Sequence, residues 1–405
     1  MTRSALAKVA TRKALRDTWD DFWKQSRSQS APGVDGVTLA AFNKNREWNI
    51  GRVYQEMEAG YKFSPLRPFT VEKSNGKKRI ICVPTVKDRL VQRLISNHLT
   101  SQADRLGILN EVSFGFVNST ASNPRGVGAA RDRALQLRQE YPWAYKTDIS
   151  SFFDRIPRSY LLDKTIRYLR APSFKPLIKG VIDCEIQYQD AALARLIEES
   201  RIQRGRGVRQ GMPLSPLLSN IVLRDFDQEM IKAGRRMVRY ADDLIVLAAS
   251  RNECEEIDFQ ARSLLAKMQL ELPVLGTQGK TQIAEPDEPI DFLGLALQRD
   301  VAGRYRLIIT PKQLDRIRQE LGRFHDVKRL ARDGINIIDL GKMVTNSVGG
   351  YRSAYSCAQN TAQLDRVLDG CQKAIVRRIL TNAFGEKAVQ GLSLEYQIFF
   401  GMAGD

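Results

Sequence analysis

Three aspartates stand where the surrounding pattern disfavours carboxylates. One is Asp148, in Tyr145-Lys146-Thr147-Asp148-Ile149-Ser150-Ser151-Phe152-Phe153-Asp154. The others are Asp242 and Asp243, in Arg239-Tyr240-Ala241-Asp242-Asp243-Leu244-Ile245-Val246-Leu247. The apolar run after Asp243 reads as a strand buried on both faces, which puts its leading aspartates at the rim of a sheet. Neighbouring carboxylates repel unless a cation lies between them. Mg2+ suits such a place, because it takes hard oxygen ligands and is typically held by one or two carboxylates plus substrate phosphates. Two such ions about 4 Å apart activate an attacking hydroxyl and stabilise a phosphate leaving group in an in-line displacement. Each segment alone also has a plain reading. An Asp-Asp pair suits a hairpin turn, and Asp148 suits a helix cap.

Composition narrows the alternatives. The chain carries 63 Lys+Arg against 46 Asp+Glu, a net charge of +17, with a pI near 9.7. An excess of that size points to a polyanionic partner, nucleic acid first and an anionic membrane second. Only two histidines, His98 and His325, are present, and Cys82, Cys184, Cys254, Cys357 and Cys371 are scattered without metal-ligand spacing. That argues against zinc chemistry and against a triad with a histidine base. No apolar run approaches the roughly 18 residues of a membrane span, and Met1–Trp19 lacks the apolar centre of a signal peptide. The expectation is a cytoplasmic protein with no membrane partner.

The elements that must position the aspartates follow from periodicity and turn chemistry. Residues 1–30 read as a basic helix, and Ala31-Pro32-Gly33-Val34-Asp35-Gly36 as a turn. Residues 71–84 read as a hairpin around Ser74-Asn75-Gly76, ended by Pro84. Helices are expected over 86–106, 126–140, most of 159–200, 213–231, and from about 311 onward. Strands are expected over 144–149 and over 237–249, the latter two strands meeting at Ala241-Asp242-Asp243. Arg204-Gly205-Arg206-Gly207-Val208-Arg209-Gln210-Gly211 reads as a loop. Phe152 and Phe153, read as continuing the strand of Asp148, would point to opposite faces, leaving one of them in the core.

In combination these segments resemble reverse transcriptases. Tyr240-Ala241-Asp242-Asp243 looks like the family's Tyr-x-Asp-Asp box, and Asp148 through Pro157 resembles the box of the first catalytic aspartate. Arg209-Gln210-Gly211-Met212-Pro213-Leu214-Ser215-Pro216 is similar to its Gln-Gly-x-x-x-Ser-Pro box. Lys73 through Pro84, Ser113-Phe114-Gly115-Phe116, Gly279-Lys280-Thr281 and Phe292-Leu293-Gly294 resemble further boxes, in the family's order. Gly33-Val34-Asp35-Gly36-Val37-Thr38 and Ser347 through Tyr355 are similar to segments of the group II intron lineage. The resemblance covers roughly residues 31–300.

What the resemblance implies is an α+β right-hand polymerase with fingers, a palm built on a small antiparallel sheet, and a helical thumb. The implied division is 1–85 for the basic helix and fingers, 86–158 and 210–304 for the palm, 159–209 for a fingers insertion, and 305–405 for the thumb. The implied reaction is RNA-templated DNA synthesis from deoxynucleoside triphosphates with two Mg2+. Asp148, Asp242 and Asp243 would hold the metal, with the Ile149 backbone carbonyl. Lys73 and Arg79 would meet the triphosphate, and Phe153 would exclude a 2′-hydroxyl. Gln210 would contact the nucleotide, and Lys280 would steady the triphosphate or protonate pyrophosphate. Arg204, Arg206, Arg209, Arg12 and Arg16 are expected on nucleic-acid phosphates. The chain ends after about 100 thumb residues, which fits stand-alone, defence-associated enzymes that copy a structured non-coding RNA into an RNA–DNA duplex. A partner protein encoded nearby is also expected. Alternatives are untemplated or protein-primed synthesis, a group II intron or CRISPR-associated enzyme, and a catalytically idle RNA-binding scaffold.

Overall fold

The computed structural model describes residues 4–26, 30–72, 78–187, 191–276 and 280–402. Lys73 and the Ser74-Asn75-Gly76 turn lie outside the described residues. The chain divides into two compact units, Met1–Glu285 and Pro286–Asp405.

The first unit is built on a four-stranded antiparallel sheet. Its strands are β3 (Trp143–Asp148), β4 (Arg236–Tyr240), β5 (Asp243–Ala248) and β6 (Gln282–Ala284), in the order β4-β5-β3-β6. Leu244 through Ala248 are all buried, as expected of a central strand covered on both faces. Helices Val127–Glu140 and Arg251–Ala266 both pack against β5. Tyr145, on β3, donates its hydroxyl to Asp258 of the second of these at 2.7 Å. A separate hairpin pairs β1 (Arg67–Glu72) with β2 (Lys78–Val83), Arg67 opposite Val83. After it in the chain, helix Val86–Ser101 buries Leu90, Val91, Leu94, Ile95 and Leu99. Its cap residue Thr85 accepts from the Asp88 amide at 3.2 Å and donates to the Asp88 carboxylate at 2.6 Å. Helix Ser215–Lys232 carries Pro216 in its first turn, where a missing N–H does no harm.

The expected basic helix is two helices, Ala5–Val9 and Arg12–Ser26, broken at Ala10. The second buries Leu15, Trp19 and Phe22. A sharper difference concerns Phe152 and Phe153. β3 ends at Asp148, Ser151 takes a left-handed φ of 46°, and Phe152–Arg155 is a helical turn, not strand. Two-fold alternation therefore does not separate the two rings. Packing does, because Phe152 is 2% exposed and Phe153 half-buried.

The second unit holds β7 (Ile290–Phe292), β8 (Leu295–Arg299) and β9 (Tyr305–Ile308) in an antiparallel sheet, followed by helices. Phe292-Leu293-Gly294 makes the β7–β8 turn, with Leu293 and Gly294 at φ 50° and 85°, the signature of a tight two-residue hairpin. This segment, read from sequence as the end of the palm, thus belongs to the same compact unit as the helices. Helices Pro311–Gly322, Ile337–Tyr355 and Thr361–Phe384 share a core that includes Leu314, Ile317, Val344, Val348, Leu364 and Leu368. Asn360 clasps Ile309, the residue after β9, accepting from its amide and donating to its carbonyl, both at 2.9 Å. Among the described residues no helix is long and apolar enough to cross a membrane.

Candidate active site

Strand register brings the three aspartates together. Along β3 and β5, Asp148 is paired directly with Asp243, so their Cβ atoms lie about 4.5–5.5 Å apart. Alternation places Lys146, Asp148 and Asp243 on one face of the sheet. Asp242 occupies the two-residue turn between β4 and β5, and its carbonyl accepts from the Ile149 amide at 3.2 Å. The turn is strained. Ala241 takes a left-handed φ of 57°, which costs a non-glycine residue about 1–2 kcal/mol.

The carboxylates carry unmet charge. The Oδ1 of Asp148 is buried without a hydrogen-bond partner, while its Oδ2 accepts from Lys280 Nζ at 3.3 Å. Burial first, then the charges of Asp243 and Asp148, push the Asp242 carboxyl up to about 6, although its own backbone amide and Arg79 pull the other way. Asp243 is also raised, by burial and by Asp148, and Lys146 opposes the rise. An orphaned carboxylate oxygen beside two mutually repelling acids is a hard-oxygen donor set short of positive charge, and it fits Mg2+. Among the described residues no three His, Cys, Asp or Glu side chains are gathered into a ready-made chelate.

The other expected site residues fall into two groups. Arg79 is exposed on β2, close enough for its charge to act on Asp242. Lys280 is held near Asp148 because the next residue, Thr281, shares a 2.7 Å buried hydrogen bond with Thr147. Gln210 is half-buried, and its carbonyl accepts from the Cys82 amide of β2 at 2.7 Å. Gly211, at φ 102°, has room for no side chain: a Cβ there would stand 2.5 Å from the Cys82 carbonyl oxygen. The glycine therefore serves the packing of this loop on the β1–β2 hairpin.

Arg209 is a correction to the phosphate-binding reading. It is 2% exposed and spends its guanidinium on Glu185 at 2.7 Å and on the carbonyls of Gln203 and Arg206. Burial pushes Glu185 up, but Arg209, the Gly205 amide and Arg158 outweigh it and hold the carboxyl below its ordinary value. Arg206 likewise donates to the carbonyls of Arg155 and Gln269. Both charges organise the loop, and of the three loop arginines only Arg204 is exposed. Further away, Arg12 lies over the Tyr54 ring and Arg16 pairs with Glu47 at 2.7 Å. Lys146 was missed from sequence, although its position two residues before Asp148 on a strand was the available signal.

Known proteins resemble the chain over the residues that build this site. The family model described as reverse transcriptase (RNA-dependent DNA polymerase) matches residues 71–297. Protein YkfC of Escherichia coli (strain K12) is 27% identical over 332 residues, covering 71% of this chain and 82% of that protein. The group II intron-encoded protein LtrA of Lactococcus lactis is 23% identical over 246 residues, and the match spans 37% of LtrA. The retron Ec73 reverse transcriptase of Escherichia coli is 23% identical over 189 residues, 53% of its length. With more than half of its residues matched from the β1–β2 hairpin through the sheet of paired aspartates, the chain belongs to the reverse transcriptase family, with the right-hand polymerase fold.

Proposed function

We propose that the protein catalyses RNA-templated DNA synthesis at Asp148, Asp242 and Asp243. The observation that carries this reading is the β3–β5 register, which sets Asp148 opposite Asp243 beside the Asp242 turn. These carboxylates and the Ile149 carbonyl would hold two Mg2+. When bound, the ions supply Lewis-acid stabilisation to a 3′-hydroxyl attacking the α-phosphorus and to the departing pyrophosphate. Arg79, with Lys73 beyond the described residues, offers positive charge to the triphosphate. Phe153 fills the space beneath the sugar, and Gln210 reaches the nucleotide from a loop pinned to β2. As the α–β phosphoanhydride bond breaks, Lys280 is the group available to give pyrophosphate a proton. Asp148→Asn and Asp243→Asn are expected to lose most nucleotide incorporation with the fold retained by circular dichroism. Wild-type-like primer extension by either variant overturns the assignment.

The template, in this reading, is a dedicated structured RNA gripped through phosphates and shape, in a setting of bacterial antiphage defence. The charge of +17 and the similarity to a retron reverse transcriptase support the RNA part. Sequencing the nucleic acid that copurifies with the protein tests it. A discrete small RNA with cognate DNA is the expected result, homopolymeric DNA favours untemplated synthesis, and phage plating with the Asp243→Asn variant tests the defence role.

A further inference from the structure

Arg239 ends its side chain at 0% exposure, and so does its partner Asp227. Every N–H of the guanidinium is used. Nε and Nη2 grip the two Asp227 oxygens at 2.7 and 2.6 Å. Nη2 also donates to Ser113 Oγ at 2.8 Å, and Nη1 to Asn220 Oδ1 at 3.1 Å. The remaining bond runs from Nη1 to the carbonyl oxygen of Ala241, at 3.1 Å. Burying an ion pair is a poor route to stability, since apolar residues of similar volume often do as well or better. What an apolar pair could not supply is the donor on Ala241, the left-handed residue immediately before Asp242.

The same network reaches the turn from a second side. Asn220 donates from Nδ2 to the Gly115 carbonyl at 2.8 Å. Gly115 lies so close to the turn that a Cβ on it would stand 2.8 Å from the Ala241 nitrogen. The segment around it pairs with β4 through Phe114 N–H to Arg239 O and Arg239 N–H to Val112 O, both 2.8 Å. Through Asn220, Gly115 and Arg239, helix Ser215–Lys232, the 112–115 segment and β4 therefore meet around the Ala241 turn.

We propose that Arg239 is a positioning residue: it locks the strained Ala241 turn and so fixes where Asp242 and Asp243 stand relative to Asp148. The inference rests on those aspartates being the polymerase site, and its test separates the two claims. Arg239→Lys keeps a charge for Asp227 but has no fork to serve Ala241 as well. The double variant Arg239→Met with Asp227→Leu removes the pair together, so no lone buried charge is left to unfold the protein. Leu177→Ala, a core truncation on helix Lys175–Ile182, serves as a control for stability loss alone. Two readouts are taken well below every melting temperature: amide hydrogen exchange at Ala241–Asp243 in metal-free protein, and steady-state primer extension.

The expected result is faster exchange at the turn in both Arg239 variants. Alongside it, kcat falls roughly tenfold to a hundredfold, the scale of a small misplacement of reacting groups, while KM for the nucleotide changes little. Leu177→Ala leaves both readouts at wild-type values. A folded Arg239→Lys or double variant with wild-type turn protection and kcat overturns the proposal. Failure of both variants to fold also overturns it, because the network is then structural only. If instead Asp243→Asn extends primers like wild type, the polymerase-site reading fails, and exchange alone still decides whether Arg239 holds the turn.

Discussion

At the scale of single residues, the raised Asp242 carboxyl couples stability to pH. Its folded value near 6 against the ordinary 3.8 means that the folded chain binds more protons in between. That contribution to stability is complete below about pH 4 and is lost as pH rises through about 6. In metal-free protein, Asp242→Asn should therefore melt higher than wild type at neutral pH, with the two curves converging below about pH 4. Calorimetry across that range checks it, and a gap independent of pH would refute the cause. Mg2+ should raise the wild-type melting temperature at neutral pH, and much less at acid pH, where protons compete for the same oxygens. A second prediction concerns the two adjacent phenylalanines. Phe153→Ala should raise ribonucleotide use relative to deoxyribonucleotide use. Phe152→Ala should destabilise by about 3–5 kcal/mol, as a fully buried ring does, with sugar choice unchanged.

Elements add constraints that no single residue shows. The Gln210-Gly211 loop and strand β2 are one packed object, joined by the Cys82 amide and the closeness of Gly211 to the Cys82 carbonyl. Gly211→Ala meets both a positive φ and that carbonyl, so it should destabilise by more than about 1 kcal/mol in denaturant titrations. It should also raise KM for nucleotides, since the hairpin carrying Arg79 shifts with the loop. The arginine loop divides in a similar way. Arg209→Ala should lower the melting temperature while leaving the salt dependence of RNA binding unchanged, because its charge is spent on Glu185. Arg204→Ala should do the reverse. Equal effects of the two on RNA affinity would count against the division.

For the molecule as a whole, the +17 charge sets how binding responds to salt. Each single-strand phosphate that the protein no longer neutralises should flatten the slope of log K against log salt by about 0.7. Neutralising Lys8, Arg12 and Lys13 is expected to weaken RNA binding with a flatter slope. Arg16 is expected to add little, since it already pairs with Glu47. Extension of a generic primer–template should be largely unaffected. Filter binding at several salt concentrations measures the slope, and an unchanged slope removes the N-terminal helices from the RNA surface.

The family, the α+β class, the positions of most helices and strands, and the aspartates on which the chemistry is proposed to rest were all legible in residue order. They were legible because they are local. Periodicity places strands, and the aspartate segments stand out because they recur with the other short boxes in a fixed order along the chain. Which charges are free was settled by tertiary packing instead. Arg209 and Arg204 sit in one Gly/Arg-rich loop and read alike, yet Glu185, about twenty residues back in the chain, takes one and leaves the other exposed. Phe152 and Phe153 took their places from a left-handed Ser151 that starts a helical turn, where alternation had suggested a strand. The pairing of Asp148 with Asp243 and the Thr147–Thr281 bond that brings Lys280 to Asp148 join residues far apart in sequence. So does the network that ties Arg239 to Ser113, Asn220, Asp227 and the Ala241 turn. Such contacts depend on register and burial, which local residue order does not specify.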